Sequence, residues 1–589
     1  MCIRDRGQSY EASEGNHDDL MMNLVLFGYF TSTQYFGDMT NINLKQMIFN
    51  QKMKEIEDKK NEDQDANEDN EEDDVQSDDE TTTAEEMKDF EKFAQRQAQN
   101  QIRKYNEGKE KMDDDDYLSM VNSLNSQQRK FFNDFVERIM DREEDDPFYV
   151  YIGGEAGTGK SFLMKLLIEA TNRLPSYSGQ PLDKPKCLVM APTGVAAYII
   201  NGSTIESALA IAPNRRKTFA PNEASRNSQL RFLYEDLKAL FLDEVSMVGT
   251  TKFTVMNYRL QEIMGNTKFM GGLPLICCGD FGQLPPVGEY MIWENSYLDG
   301  RVDMSPNHWK DRFQIFYLTE KMRSQDEEFS TVSDKVRKGI CDSEVSKYMR
   351  DHVRNCPNEN DNSYYASGKL SIIVTSNAER QRINLEKLNR LLPAEKTYEI
   401  EAKDECTNVS HAPKLSEDLP LTKTGQLSHK NVFKVGAPVM ITSNHQDAKY
   451  KNNGIVNGSR GYIDSIHTSK QNPDEVEIIW VRFSDDKTGQ MLREDNRSLL
   501  RTHPPKDSKS VPIRRQKKGF NIKGNTKYVR SQFPLTLCYA ITSHKSQGQT
   551  LEQVIIDFTN AKGGIAAGSF YVAMSRVRLG ENLYLRGFE

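Results

Sequence analysis

The sequence predicts an α/β protein built on parallel sheets flanked by helices, and three features carry that prediction. From Leu124 onward, short apolar runs alternate with amphipathic helical stretches, the pattern of a sheet covered on both faces. One run, Phe148-Tyr149-Val150-Tyr151-Ile152, leads straight into the glycine-rich loop Gly154-Glu155-Ala156-Gly157-Thr158-Gly159-Lys160-Ser161. Beyond that loop Phe162, Leu163, Leu166, Leu167 and Ala170 recur at helical spacing, so strand, loop and helix follow in order. At 589 residues the chain is also too long for one core, and several domains are expected.

Composition sets outer bounds. With 37% hydrophobic and 28% charged residues the chain fits a soluble protein that carries some disordered sequence. Its net charge of -10 is local: residues 61–80 hold twelve Asp and Glu and no Lys or Arg, and the remainder sums to +2. A nucleic-acid partner is therefore compatible with the acidic balance. The eight cysteines form no C-x-x-C pair, which speaks for reduced thiols, against a zinc site, and for an intracellular location, nucleus or mitochondrion if the source is eukaryotic. The apolar run Leu20 to Phe30 is interrupted by Asn23 and Gly28 and is too short to span a bilayer, so no membrane partner is expected.

Taken in order, residues 1–118 are expected to be an acidic, mostly disordered extension, with solvated charge as one reading and a tail competing with DNA for a basic groove as another. A helix follows, with Phe131, Phe132, Phe135 and Ile139 on its buried side and Ser126 as its N-cap. In the loop at 154–161 the glycines let backbone N–H groups turn toward phosphate oxygens, Lys160 supplies a cation to the β/γ-phosphates, and Ser161 offers a hydroxyl to Mg2+. ATP and Mg2+ are the expected ligands. Lys186 to Ala191 is the next strand, and 205–235 is expected as a small surface insertion with Arg215, Arg216 and Lys217. The strand Leu237 to Leu242 ends in Asp243-Glu244, a pair suited to holding Mg2+ and to activating water. A fourth strand, Leu273 to Cys278, runs into Gly279 to Val287 and sets Gln283 at the carboxyl edge of the same sheet, where an amide senses the γ-phosphate.

These stretches, with Ala191-Pro192-Thr193-Gly194-Val195-Ala196-Ala197, Leu318 to Arg323, Thr542 to Leu551 and Tyr571 to Val577, make residues 124–589 resemble superfamily-one DNA helicases of the Pif and RecD type. The resemblance implies two RecA-like P-loop NTPase lobes, at 119–317 and at 318–431 with 531–589, and an SH3-like β-barrel insertion at 432–530. Strand-like runs joined by Gly/Asn turns in that insertion fit the barrel on their own. It implies that Arg323 and Arg576 reach across a cleft to the transferred phosphoryl group, and that Gln128 contacts adenine. Thr193, Thr542, His544, Lys545 and Ser546 are candidates for contacting single-stranded DNA, because hydroxyls and cations at loop tips hold phosphates without reading bases; His544 reads equally as a structural histidine. Glu206 stands where relatives usually carry histidine, which puts a DNA contact there in doubt. Arg514 to Arg530 lines a DNA channel, serves as an import signal, or is a solvated loop; the sequence leaves these open.

The implied activity is an ATP- and Mg2+-dependent, 5′-to-3′ helicase acting on single-stranded, forked or tailed DNA in repair, recombination, replication or telomere maintenance, and expected to be a monomer. Two alternatives stand beside it. One is the helicase portion of a mobile-element or viral replication protein, which the unusual N-terminal stretch and the stop at Glu589 would suit. The other is a nucleotide-gated clamp that binds DNA without unwinding it.

Overall fold

The computed structural model describes residues 112–588 apart from 142–145, 175–183, 212–218, 296, 299–300, 303–306, 323–325, 359–368, 407–414, 417–418, 422, 523–525 and 562–564, together with 4–5, 8–9, 102–103 and 105–106. Arg323, Arg215 to Lys217 and nearly all of the acidic extension lie outside the described residues.

The first parallel sheet is built from β1 (Tyr149–Gly154), β2 (Cys187–Ala191), β3 (Ser203–Thr204), β4 (Ala239–Leu242), β5 (Leu275–Gly279) and β6 (Phe313–Leu318), in the order β6-β1-β5-β4-β2-β3. Alternate residues face opposite sides, so Tyr149, Tyr151 and Leu240 enter one core while Val150, Ile152 and Phe241 enter the other. Helix α1 (Ser126–Met140) packs on the second of these faces through Phe131 and Phe135. Its N-cap is Asn125 and not Ser126: the Asn125 carboxamide accepts from Gln128 N at 2.8 Å while Asn125 N donates to Gln128 Oε1 at 3.3 Å. That reciprocal pair satisfies two helix-end donors, which a serine one residue later could not do. The stretch expected as a surface insertion is in part interior, since Ile205, Leu209, Leu230 and Tyr234 are buried in the first core. Its polar composition hid short amphipathic helices at Ile205–Ala208 and Ala224–Leu233.

The second parallel sheet orders four strands β15-β7-β16-β17, where β7 is Leu370–Val374, β15 is Ala540–Thr542, β16 is Gln553–Asp557 and β17 is Leu583–Arg586. Helices α2 (Glu327–Arg337), α3 (Ser343–Arg354), α4 (Asn377–Leu391) and α5 (Ser569–Met574) flank it. The chain between β7 and β15 builds a five-stranded antiparallel sheet, β11-β10-β9-β8-β14, from β8 (Pro438–Ile441), β9 (Arg460–Thr468), β10 (Val476–Phe483), β11 (Val511–Ile513) and β14 (Leu535–Leu537) around a core with Trp480 at 0% exposure close by. The basic stretch 514–530 forms a hairpin, β12 (Gln516–Ile522) with β13 (Thr526–Gln532), and Arg530 within it is buried against Asp404 at 2.7 Å, a structural ion pair. Two parallel sheets flanked by helices, with an antiparallel unit inserted in the second, are the fold class the sequence predicts. Among the described residues no helix is long and apolar enough to cross a membrane, and every cysteine is free.

Candidate nucleotide site and strand-facing edge

Parallel strands place every following loop at one edge of the sheet. The loop after β1, Asp243-Glu244 after β4 and Gly279 to Gln283 after β5 therefore converge by topology alone. The helix Lys160–Asn172 begins directly after Gly159, whose φ of 81° lies in the left-handed region and whose side offers no cap. The first-turn N–H groups thus remain open to an anion. A Cβ at Gly159 would stand 2.4 Å from Gln128 Nε2. Gly159→Ala, strained at this φ and pressed on buried Gln128, is therefore expected to weaken nucleotide affinity at least tenfold, measurable by titration with a fluorescent ATP analogue, and to lower stability by roughly 1–3 kcal/mol.

Lys160 Nζ donates to Gly154 O and Glu155 O, both at 2.8 Å, and so rests across the loop mouth. Thr158 Oγ1 donates to Glu155 O at 3.0 Å and holds the loop's shape. Glu155 puts a carboxylate beside a site for phosphates, and Lys321 answers it at 2.8 Å. Burial raises the Glu155 carboxyl above its usual range, and neighbouring Asp334 adds to that while Lys321 opposes it. Gln128 is fully buried behind the loop with both ends of its amide in use, donating to Thr158 O at 3.3 Å and accepting from Asn125 N. In this state it braces the loop from behind, and its amide oxygen and nitrogen each keep one further hydrogen-bonding position.

Asp243 is buried, and its carboxyl is pushed up to about 7, first by burial and then by Glu244, with Lys160 and Lys165 pulling the other way. Asp243 Oδ1 accepts from Glu244 N at 2.9 Å, and Glu244 sits at φ 49°, ψ 43°. A left-handed glutamate is strained and needs its surroundings to hold it. Gln283 is buried with an Oε1 that has no hydrogen-bond partner among the described residues. Native interiors rarely leave such an atom unpaired, and it is free to accept from a bound group.

The second sheet's elements close this edge into a cleft of about 280 Å³, lined by Lys160, Ser161, Asp243, Glu244 and Gln283 on one side and by Gly548, Tyr571, Ser575, Arg576 and Arg578 on the other. Arg576 shares the cleft with Lys160, yet its donors go to Val572 O (2.7 Å), Gln549 O (3.2 Å) and Ser575 Oγ (2.8 Å). It is held in its own lobe and would have to exchange those bonds to reach a phosphate. Arg323 lies outside the described residues; Met322 donates from N to Gly157 O at 2.9 Å.

Tyr571 of the cleft and several residues bonded near it carry no functional reading from the sequence. Tyr571 Oη accepts from Ala156 N at 3.2 Å and donates to Asp280 Oδ2 at 3.0 Å, spanning the lobes. Asp280, wholly buried, also accepts from Arg337 Nη2 at 2.7 Å and Nε at 3.0 Å, and from Gly282 N at 2.9 Å. Gln127 donates to Thr319 Oγ1 at 2.8 Å. Tyr571 and Asp280 stand inside motif stretches and were findable; Arg337, beside Lys335 and Lys338 on a polar helix, carries no local signal.

The strand-facing candidates divide. Thr193 Oγ1 caps the helix Gly194–Ile199 by accepting from Ala196 N at 3.3 Å. His544 is exposed, and Lys545 donates to Asn457 Oδ1 at 2.9 Å. Thr542 is largely buried. Ser546 does not belong to this surface: it is fully buried, and its hydroxyl donates to Ser543 O at 2.8 Å to close the turn. Glu206 pairs with Lys252 at 3.1 Å, so its charge is answered within the protein.

Residues 123–347 match the family model described as PIF1-like helicase. The ATP-dependent DNA helicase Pif1 of Bdellovibrio bacteriovorus is 26% identical over 445 residues, 74% of this chain and 84% of that protein. The PIF1 helicases of Xenopus laevis and Danio rerio are 27% and 29% identical over 75% of this chain. The matched stretch spans only 59% and 58% of those two proteins' own lengths. Among solved structures, the Pif1 helicase of Candida albicans superposes with a TM-score of 0.57 at 23% identity, covering 79% of this chain and 94% of the other. A Pif1 helicase from Bacteroides in complex with ADP-AlF3 and ssDNA gives 0.55 at 23% identity, over 79% and 93%.

Proposed function

We propose that this chain, which belongs to the PIF1-like helicase family, is an ATP-hydrolysing motor that moves along single-stranded DNA and parts the duplex ahead of it. The observation that carries this is the cleft itself: Lys160, Asp243, Glu244 and Gln283 on the first sheet's edge face Arg576 and Tyr571 from the second. A triphosphate bound there is held by the loop 154–161, with Lys160 leaving its two carbonyls for the β/γ-phosphates. Ser161 and Asp243 are the groups for Mg2+, and the raised Asp243 carboxyl is the kind of buried acid that a divalent cation ionises. Mg2+ supplies charge neutralisation to the phosphate oxygens. Glu244 takes the proton of the attacking water, Gln283 reports the γ-phosphate, and Arg576, with Arg323, neutralises charge on the transferred group as the lobes close.

Because Arg576 and the loop sit on different lobes, hydrolysis depends on closure, and closure moves whatever each lobe holds. We assign the strand to the outer edge carrying Thr193, His544 and Lys545, with polarity 5′ to 3′. We divide the chain into a first lobe at 119–317, a second at 318–431 with 531–589, and an insertion at 432–530, a reading that the two parallel sheets and the antiparallel sheet support. The deciding assay compares duplexes bearing a 5′ or a 3′ single-stranded tail, with and without ATP. Unwinding of the 5′-tailed substrate alone, and only with ATP, is expected. ATP-dependent retention on DNA without strand separation would favour the clamp, and unwinding from the 3′ tail would reverse the polarity.

A further inference from the structure

At the outer edge of the second sheet Arg380 and Lys545 stand on adjoining elements, and among the described residues neither has a counter-charge. Strands β7 and β15 are parallel neighbours in register Val374↔Thr542, so the chain leaves both at the same level. Helix α4 starts just after the first, capped by Ser376, and Lys545 follows the second. Asn384 locks α4 against β15 by donating to Ala540 O at 3.0 Å and accepting from Ala540 N at 2.9 Å. The register and that clamp bring Arg380, in the first turn of α4, to Lys545. Arg380 Nε is buried without a hydrogen-bond partner, and Lys545 donates to the neutral Asn457. Among the described residues neither forms an ion pair. The nearest carboxylate in sequence, Glu379, is already held by Arg382 at 2.7 Å and by Asn560 at 3.0 Å.

A fold does not gain by pressing like charges together in a half-buried place. Burial, reinforced by Arg380, lowers the Lys545 ammonium to about 8, and burial also lowers Arg380 from its usual range. We propose that Arg380 and Lys545 together form a phosphodiester subsite for the bound strand, with the N-terminus of α4 beneath it. This rests on the single-strand motor reading above and adds to it a specific residue, Arg380, whose guanidinium fork suits a phosphate's oxygens. Asn457, on the turn before β9, steadies Lys545 toward the same spot, which ties the antiparallel insertion to the strand.

The test uses the full chain and fluorescent oligo-dT, with dissociation constants measured by anisotropy over a range of NaCl concentrations. Arg380→Ala should bind several-fold more weakly, with the slope of log affinity against log salt shallower by roughly 0.7, the value for one phosphate lost from a single strand. Arg380→Lys should keep the slope. The thermal midpoint of Arg380→Ala should equal or exceed that of the parent, because repulsion is relieved. A parental slope in Arg380→Ala overturns the subsite, and so does a lost slope accompanied by a lowered thermal midpoint, which marks a packing role. Pyrophosphate that stabilises the parent but not Arg380→Ala, with DNA binding unaffected, overturns it in favour of a free phosphoryl ligand. If the parent itself shows no salt-dependent binding to oligo-dT, the motor reading has failed and not merely this site.

Discussion

Glu244→Gln is expected to lower DNA-stimulated ATP turnover by about 10²- to 10⁴-fold, the usual worth of a positioned general base, while nucleotide binding survives. The change is isosteric, and glutamine tolerates the left-handed backbone at this position as poorly or as well as glutamate does, so the strained turn after β4 keeps its shape. Removing the negative charge also takes away one of the groups that raises the Asp243 carboxyl. Lys160→Ala separates the other half of the chemistry: its ammonium donates to Gly154 O and Glu155 O, its hydrogen-bond partners among the described residues. Deleting it should leave the fold intact and abolish nucleotide binding together with turnover. Parallel binding and turnover assays distinguish the two losses, and parental turnover in either variant would remove these residues from the mechanism.

Both residues were legible because their evidence is local. A strand of apolar residues followed by glycines and Lys-Ser, or by Asp-Glu, carries its meaning within a dozen positions, and parallel pairing then gathers such loops at one edge. The two α/β units were legible for the same reason, since sheets buried on both faces leave continuous apolar runs such as Ile372 to Val374 and Val554 to Ile556. What could not be seen is what depends on distant partners. Ser546 looks like any loop-tip hydroxyl until the fold buries it, and Gln128 looks like a free amide until Asn125 and Thr158 take both ends. Arg337 gave no hint, because its helix reads as a solvated charge run. Its partner Asp280 lies far away in sequence, on the opposite side of the cleft.

That pair sets the second large effect. Asp280→Ala should destabilise the protein by about 3–5 kcal/mol, the cost of removing one member of a buried ion pair and stranding the other. The Asp280 side chain is 0% exposed and that of Arg337 16%, so water cannot substitute readily. Although burial alone would lower it, Asp280 holds the Arg337 guanidinium above its usual value, which shows how strongly the charge is committed to this partner. The substitution also frees Tyr571 Oη from its acceptor and releases Gly282 N, whose bond shapes the turn leading to Gln283. Gly568 packs against Gln283 O so closely that a Cβ there would stand 2.6 Å away, and a loosened turn would disturb that seam between lobes. Thermal unfolding should therefore shift down by several degrees and ATP turnover should fall with it. Tyr571→Phe, which removes one hydroxyl from a buried carboxylate, should cost less, about 1.5–3 kcal/mol. The combination Asp280→Ala with Arg337→Met tests whether the pair serves stability or coupling, since removing both charges avoids the stranded ion. If the double variant regains the thermal midpoint but not DNA-stimulated turnover, the network transmits closure between lobes. Recovery of both would reduce it to a structural ion pair, because nothing in the chemistry would then need the connection from Ala156 through Tyr571 and Asp280 to Arg337.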